Sequence, residues 1–94
     1  MEEFNEMNNS MSAEAIVIGW EEGQNAGTVG KFIARDIDGN EFEMSVVDKI
    51  RTLQLMYDIA EWYIGKKVIF TYSERTPSGY KTPLFKTILE KNKE

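Results

Sequence analysis

The segment VVDKIRTLQLMYDIAEWYI, residues 46–64, decides the fold of this chain. Its apolar positions fall at Val46, Ile50, Leu53, Tyr57, Ala60 and Ile64, alternating spacings of four and three. That period belongs to an amphipathic helix and not to a strand. Leu55, Met56, Ile59 and Trp62 widen the stripe. Ser45 with Asp48 three residues on resembles a capping pair, with Asp in place of the usual Glu or Gln. Gly65 stops the helix or the turn after it. Such a helix plugs a core; the alternative is a groove for a partner.

Everything around this helix reads as strand. AEAIVIGW (13–20) is a short apolar run. VGKFIARD (29–36) places Phe32 and Ala34 on one face, and NEFEMSV (40–46) does the same with Phe42 and Met44. Between them Asp38-Gly39 is a hairpin turn signal. KKVIFTYSE (66–74) puts Val68, Phe70 and Tyr72 on one side, and LFKTILE (84–90) completes the set. The glycines between Gly23 and Gly30 mark a loop or a sharply bent strand. They do not form a phosphate loop, because no Gly-Lys-Ser/Thr ending and no helical pattern follow. In YSERTPSGYKTPLF (72–85), Pro77 presets φ and Gly79 supplies the turn.

Three strands, a helix and two strands is the order of an OB-fold, a small Greek-key barrel. The expected architecture is therefore mainly β: a five-stranded antiparallel barrel over residues 13–90, with one helix between the third and fourth strands. Residues 1–12 read as a flexible leader and 91–94 as a charged tail. An SH3-like barrel is the main competitor, and a helix of about four turns at this position argues against it.

Composition narrows the chemistry. Ninety-four residues make one domain, and 41% hydrophobic with 29% charged residues is a globular balance. The chain has no cysteine and no histidine. Disulfide and thiolate chemistry are excluded, as are the commonest metal ligand and the commonest neutral-pH base. No apolar run reaches membrane-span length, the start lacks a secretory pattern, and a reducing cytoplasm is the expected compartment. The net charge of −5 is uneven: residues 1–64 hold four cations against thirteen carboxylates, and residues 65–94 hold seven against three. A globally acidic chain is a poor ligand for phosphates, but a local basic face can still bind them.

The stretch GKKVIFTYSERTPSGYKTPLF (65–85) is similar to the last hairpin of the OB domain of ATP-dependent DNA ligases, especially the small bacterial and phage types. Ile64, Gly65, Lys66, Tyr72, Thr76, Gly79, Pro83 and Phe85 stand in the matching places. Upstream, Gly19, Glu22-Gly23, Gly27, Gly30 and Asp38-Gly39 before Phe42 resemble that domain's opening. The departures are equally specific. The chain reads MSVVDK where the family carries Gly-x-Gly-Phe. Lys81 and Thr82 stand for the arginine and aromatic of its Arg-Phe-Pro element, and LEKN (89–92) replaces its closing Arg-x-Asp-Lys. The Lys-x-Asp-Gly of the nucleotidyltransferase domain is absent, and DIDG (36–39) resembles only its last half.

The resemblance implies a non-catalytic nucleic-acid-binding module, standing alone or as part of a split ligase. By match to the hairpin, Lys66, Lys67, Arg75, Thr76, Ser78, Lys81 and Lys86 are the candidate contacts with a DNA backbone. Cations supply the attraction and hydroxyls fix register, with no base-reading set in view. The alternative is an acidic protein-interaction module that docks on a ligase core or another replication or repair partner, or on itself, using Trp20, Trp62 and Tyr63. An enzyme is disfavoured: Asp36 with Asp38 and Glu41 with Glu43 read as solvated acids, and one Asp36–Asp38 turn offers too few oxygens for a dedicated Mg²⁺ site. No catalytic residue, metal site or cofactor is expected, and the oligomeric state is left open.

Overall fold

A computed structural model describes residues 11–89. Strand β1 runs Met11–Glu22, β2 Val29–Asp36 and β3 Glu41–Ser45. Helix α1 spans Ile50–Asp58, and a 3₁₀ turn follows at Ala60–Tyr63. Then come β4 (Lys67–Tyr72), the short β5 (Glu74–Thr76) and β6 (Gly79–Lys81), and β7 (Leu84–Ile88). The sheet order is β1-β2-β3-β7-β4, closing back on β1, with β5 and β6 forming a separate two-stranded hairpin. No helix among the described residues is long and apolar enough to cross a membrane.

The expectation of a wholly antiparallel five-stranded barrel is corrected. Four of the five ring contacts are antiparallel, but β3 and β7 run parallel, meeting at Ser45 and Leu84. The reason is parity. Strand directions cannot alternate all the way round a closed ring with an odd number of members, so one neighbouring pair must be parallel. The two extra strands, β5 and β6, lie in the connection from β4 to β7.

β1 reaches two neighbours because it bends. Its first half pairs with β4 and its second half with β2, with a register shift between Val17 and Gly19. At that bulge the Val17 N–H donates to the Lys66 carbonyl, and Gly65 N–H donates to the Val17 carbonyl. β1 starts at Met11, so Met11 and Ser12, read as the end of a leader, are strand residues. The remainder of the leader and the tail lie outside the described residues. The glycine-rich segment closes the β1–β2 hairpin. An added Cβ on Gly30 would stand 2.6 Å from the Gly23 Cα, so the two strands cross there at backbone contact. The Gly27 N–H is already taken by Glu22 Oε2 at 2.7 Å and the Gly23 N–H by the Thr28 carbonyl at 2.8 Å.

Phe32, Met44, Val17, Val29, Val68 and Phe70 fill the barrel, and Met56, Ala60 and Tyr63 close one end. The helix is shorter than its periodicity suggests. Val46 is buried outside it, its N–H held by the Gly30 carbonyl at 3.0 Å, and the last turn tightens to 3₁₀. Ser45 and Asp48 do not cap it. Ser45 ends β3, Lys49 is the N-cap with no side-chain bond, and Asp48 Oδ1 accepts only the Lys49 N–H. Gly65 does end the segment, at φ +90.

Candidate nucleic-acid interface

The β5–β6 hairpin is a polar structure held to the barrel by one aromatic. Its pairs are Glu74↔Lys81, Arg75↔Tyr80 and Thr76↔Gly79. Three-residue strands do not hold themselves in water, so their anchorage matters. Tyr80 supplies it. Its ring meets Phe42, Phe70 and Tyr72 with centroids 4.8–4.9 Å away. Its hydroxyl donates to Asp36 Oδ2 at 2.7 Å, tying the hairpin to the β2–β3 turn.

Asp36 is correspondingly not the solvated acid its place beside a turn suggests; it is 5% exposed. Burial alone pushes its carboxyl up. The Tyr80 hydroxyl and the N–H groups of Asn40 (2.9 Å) and Asp38 (3.0 Å) outweigh that and hold it below the usual carboxylate value. Tyr80 shifts the other way: burial, then its bond to the Asp36 carboxylate, raise the phenol to about 12. The latch is thus a charged acceptor with three donors, the favourable way to keep a carboxylate out of water.

On this base the hairpin displays its polar groups. Arg75 lies over Tyr80, its guanidinium carbon 4.5 Å from the ring centroid, and donates to the Tyr80 hydroxyl at 3.0 Å. Thr76 Oγ1 donates to the Gly79 carbonyl at 3.1 Å and sits 3.3 Å from Ser78 Oγ. Lys81 faces Glu74 at 3.5 Å. A cleft of about 160 Å³ separates the hairpin from the β2–β3 turn, with Asn40, Glu41, Arg75 and Ser78 on its walls.

Four of the seven candidate contacts, Arg75, Thr76, Ser78 and Lys81, therefore share one hairpin. Lys66 and Lys67 do not join them. They stand at the opposite end of β4, roughly 17 Å of strand away. Lys66 lays its ammonium 4.5 Å from the Trp62 ring centroid, and Lys67 lies 3.9 Å from Glu14. Lys86 is exposed on β7 beside β4, between the two groups.

Sequence reasoning missed the acids that partner the cations. On the outer face of β2 and β3, Lys31 meets Glu43 at 3.0 Å and Arg35 meets Glu41 at 3.1 Å. The Glu43 bond and charge push the Lys31 ammonium up. The signal was present: once Asp38-Gly39 fixes the turn, Arg35 falls opposite Glu41 and Lys31 diagonal to Glu43. It missed the Tyr80–Asp36 latch too, since nothing local relates residues 44 apart. Among the described residues no group of three or more acids is placed to hold a metal ion.

No protein-family model and no curated protein matches the chain. Solved structures do. A Chlorella virus DNA ligase-adenylate superposes with a TM-score of 0.74 and 22% identity, over 90% of this chain and 32% of the ligase. A second Chlorella virus DNA ligase-adenylate structure gives 0.68 and 26%, over 85% of this chain and 30% of the ligase. A Lig E DNA ligase, from a structure concerned with DNA binding with a minimal scaffold, gives 0.67 and 20%, over 84% and 30%. The chain folds like one part of a DNA ligase. The resemblance read from the sequence thus holds in the fold, and this ligase-like chain spans about a third of the length of the ligases it matches.

Proposed function

We propose that this chain is an OB-type nucleic-acid-binding module of the DNA ligase kind, non-catalytic by itself, that meets a DNA backbone with the β5–β6 hairpin. The observation that carries the reading is the shared fold: 90% of the chain superposes on a third of a DNA ligase. The latch supports it, because Tyr80 anchors the hairpin that carries Arg75, Thr76, Ser78 and Lys81, so less backbone has to be ordered on binding. Lys86 extends the contact along β7, and Lys66 and Lys67 are outer contacts for a longer duplex. Phosphate contacts of this kind fix position and carry no sequence preference.

The ligation chemistry belongs to the matched ligases as whole proteins. No Lys-x-Asp-Gly occurs in these 94 residues, so this chain supplies no lysine in that motif to attack a nucleotide. Its role would be to hold the substrate for a catalytic partner, with no cofactor of its own.

The test is a titration of labelled backbone amides with nicked duplex and with single-stranded DNA at two salt concentrations. Shifts confined to residues 66–86 are expected. Affinity should fall with salt at a log–log slope of about −2 to −4, as two to four phosphate contacts require. An absence of shifts at low salt, or shifts that persist unchanged when Arg75 and Lys81 are both replaced by alanine, would sink the proposal.

A further inference from the structure

The end of the barrel closed by α1 carries a second feature that the hairpin does not use. Trp20, Tyr57 and Trp62 line an open depression of about 300 Å³, together with Asp58, Ile59 and Glu61. Trp20 and Tyr57 meet edge to face at 5.3 Å. Of its lining residues Ile59 and Trp62 are 51% and 48% exposed, and Leu55, on the last turn of α1 before it, is 61% exposed.

Three observations say what would sit there. Asp58 and Glu61 have no ion-pair partner among the described residues, although Lys31, Arg35, Lys67 and Lys81 each have one. The depression also lies at the C-terminal end of α1, whose last turn holds no basic residue. That end carries the negative pole of the helix, so Asp58 adds like charge where a cation would be stabilising. Finally, the Trp62 ring already accepts an ammonium: Lys66 Nζ stands 4.5 Å from its centroid. Aromatic faces, unpaired carboxylates and a helix C-terminus all attract the same species.

We propose that this depression binds a lysine- or arginine-bearing segment of a partner protein. The cationic head lies between Asp58 and Glu61, with its aliphatic stem on Ile59 and the Trp62 ring, where it takes the place that Lys66 holds in the free chain. Apolar neighbours in the segment cover Leu55. Charge selects the occupant: two acids against the single Lys66 leave the surface net acidic as well as apolar, which disfavours an acidic peptide. The hairpin reading rests on Arg75, Thr76, Ser78 and Lys81, none of which lines this depression; Lys66, an outer contact there, is the one residue the two surfaces share.

The experiment uses the whole chain with two capped peptides, one alternating leucine and arginine, the other leucine and glutamate. Tryptophan emission and the amides of residues 20 and 55–62 are followed. The arginine peptide should shift those signals and the glutamate peptide should not. Asp58→Asn with Glu61→Gln should weaken binding about tenfold, in line with two partly exposed charge pairs, and Trp62→Leu should weaken it by a similar factor. Asp58→Asn alone should raise the melting temperature, which separates lost binding from lost folding. Equal responses to both peptides, shifts spread evenly over Glu41, Glu43 and Glu74, or full binding by the double variant would each overturn the proposal. So would concentration-dependent shifts of the same amides without peptide, which would assign the surface to a second copy of the chain.

Discussion

Tyr80 performs a task for which the chain has one residue: it joins a three-residue hairpin to a barrel through both a ring and a hydroxyl. Tyr80→Phe keeps the ring contacts and removes one of three donors to a buried carboxylate. The expected cost is about 1–3 kcal/mol, read by urea unfolding. The latch also has a pH signature. An unfolded tyrosine ionises near 10 and the folded Tyr80 near 12, so the folded state binds more protons between them. Its contribution is intact below pH 10 and is lost as pH rises toward 12. Melting curves of the wild type should therefore fall more steeply over that window than those of Tyr80→Phe. On the acid side the sign reverses. Asp36 is held below its ordinary value of 3.8, so its contribution is present above that pH and disappears as pH drops through the folded value. The stability gap between wild type and Asp36→Asn should be flat from pH 5 to 8 and narrow below 3.8.

At the scale of elements, the strands were legible and their ends were not. Alternation identified the inward residues Phe32, Ala34, Met44, Val68 and Phe70 because strand faces differ by two-residue steps. The helix was legible by period, but its ends answer to groups far away. Gly30 captures the Val46 N–H, which keeps the first expected turn extended. β5 and β6 were missed because Glu-Arg-Thr and Gly-Tyr-Lys carry no apolar alternation; what steadies them is the docking of Tyr80, together with the Ser73 N–H bond to the Lys81 carbonyl. The seven candidate contacts divided for a similar reason. A list of cations along a chain does not show that Lys66–Lys67 and Arg75–Lys81 occupy opposite ends of one strand. The uncapped helix gives an expected gain. Lys49 is extended at φ −65 and ψ 148, the conformation an N-cap needs, without an acceptor side chain. Lys49→Asp should stabilise the chain by about 1 kcal/mol in denaturant unfolding. Gly30→Ala should cost about 1–3 kcal/mol in the same assay, because its new methyl meets Gly23 backbone that cannot rotate away.

For the whole molecule, charge placement decides where DNA can approach. Net charge is −5, so any phosphate contact works against a long-range field. The outer face of β2 and β3 holds two cations and two acids in ion pairs, with Ile33 between them, and presents no net charge to a phosphate. The hairpin escapes this only in part, since Lys81 shares Glu74. Glu41, on the wall of the cleft beside the hairpin, and Glu43 hold Arg35 and Lys31 in ion pairs and keep them from DNA bound on the hairpin, so these two acids limit affinity. Glu41→Gln with Glu43→Gln frees Arg35 and Lys31. Affinity for a nicked duplex should rise about fivefold at low salt, as expected for two exposed repulsions removed and two cations released, and the salt slope should steepen by one to two. Fluorescence anisotropy against a labelled duplex measures both. A large gain with an unchanged slope would point to a global charge effect, and no gain would confine the contact to β5–β6 and β7.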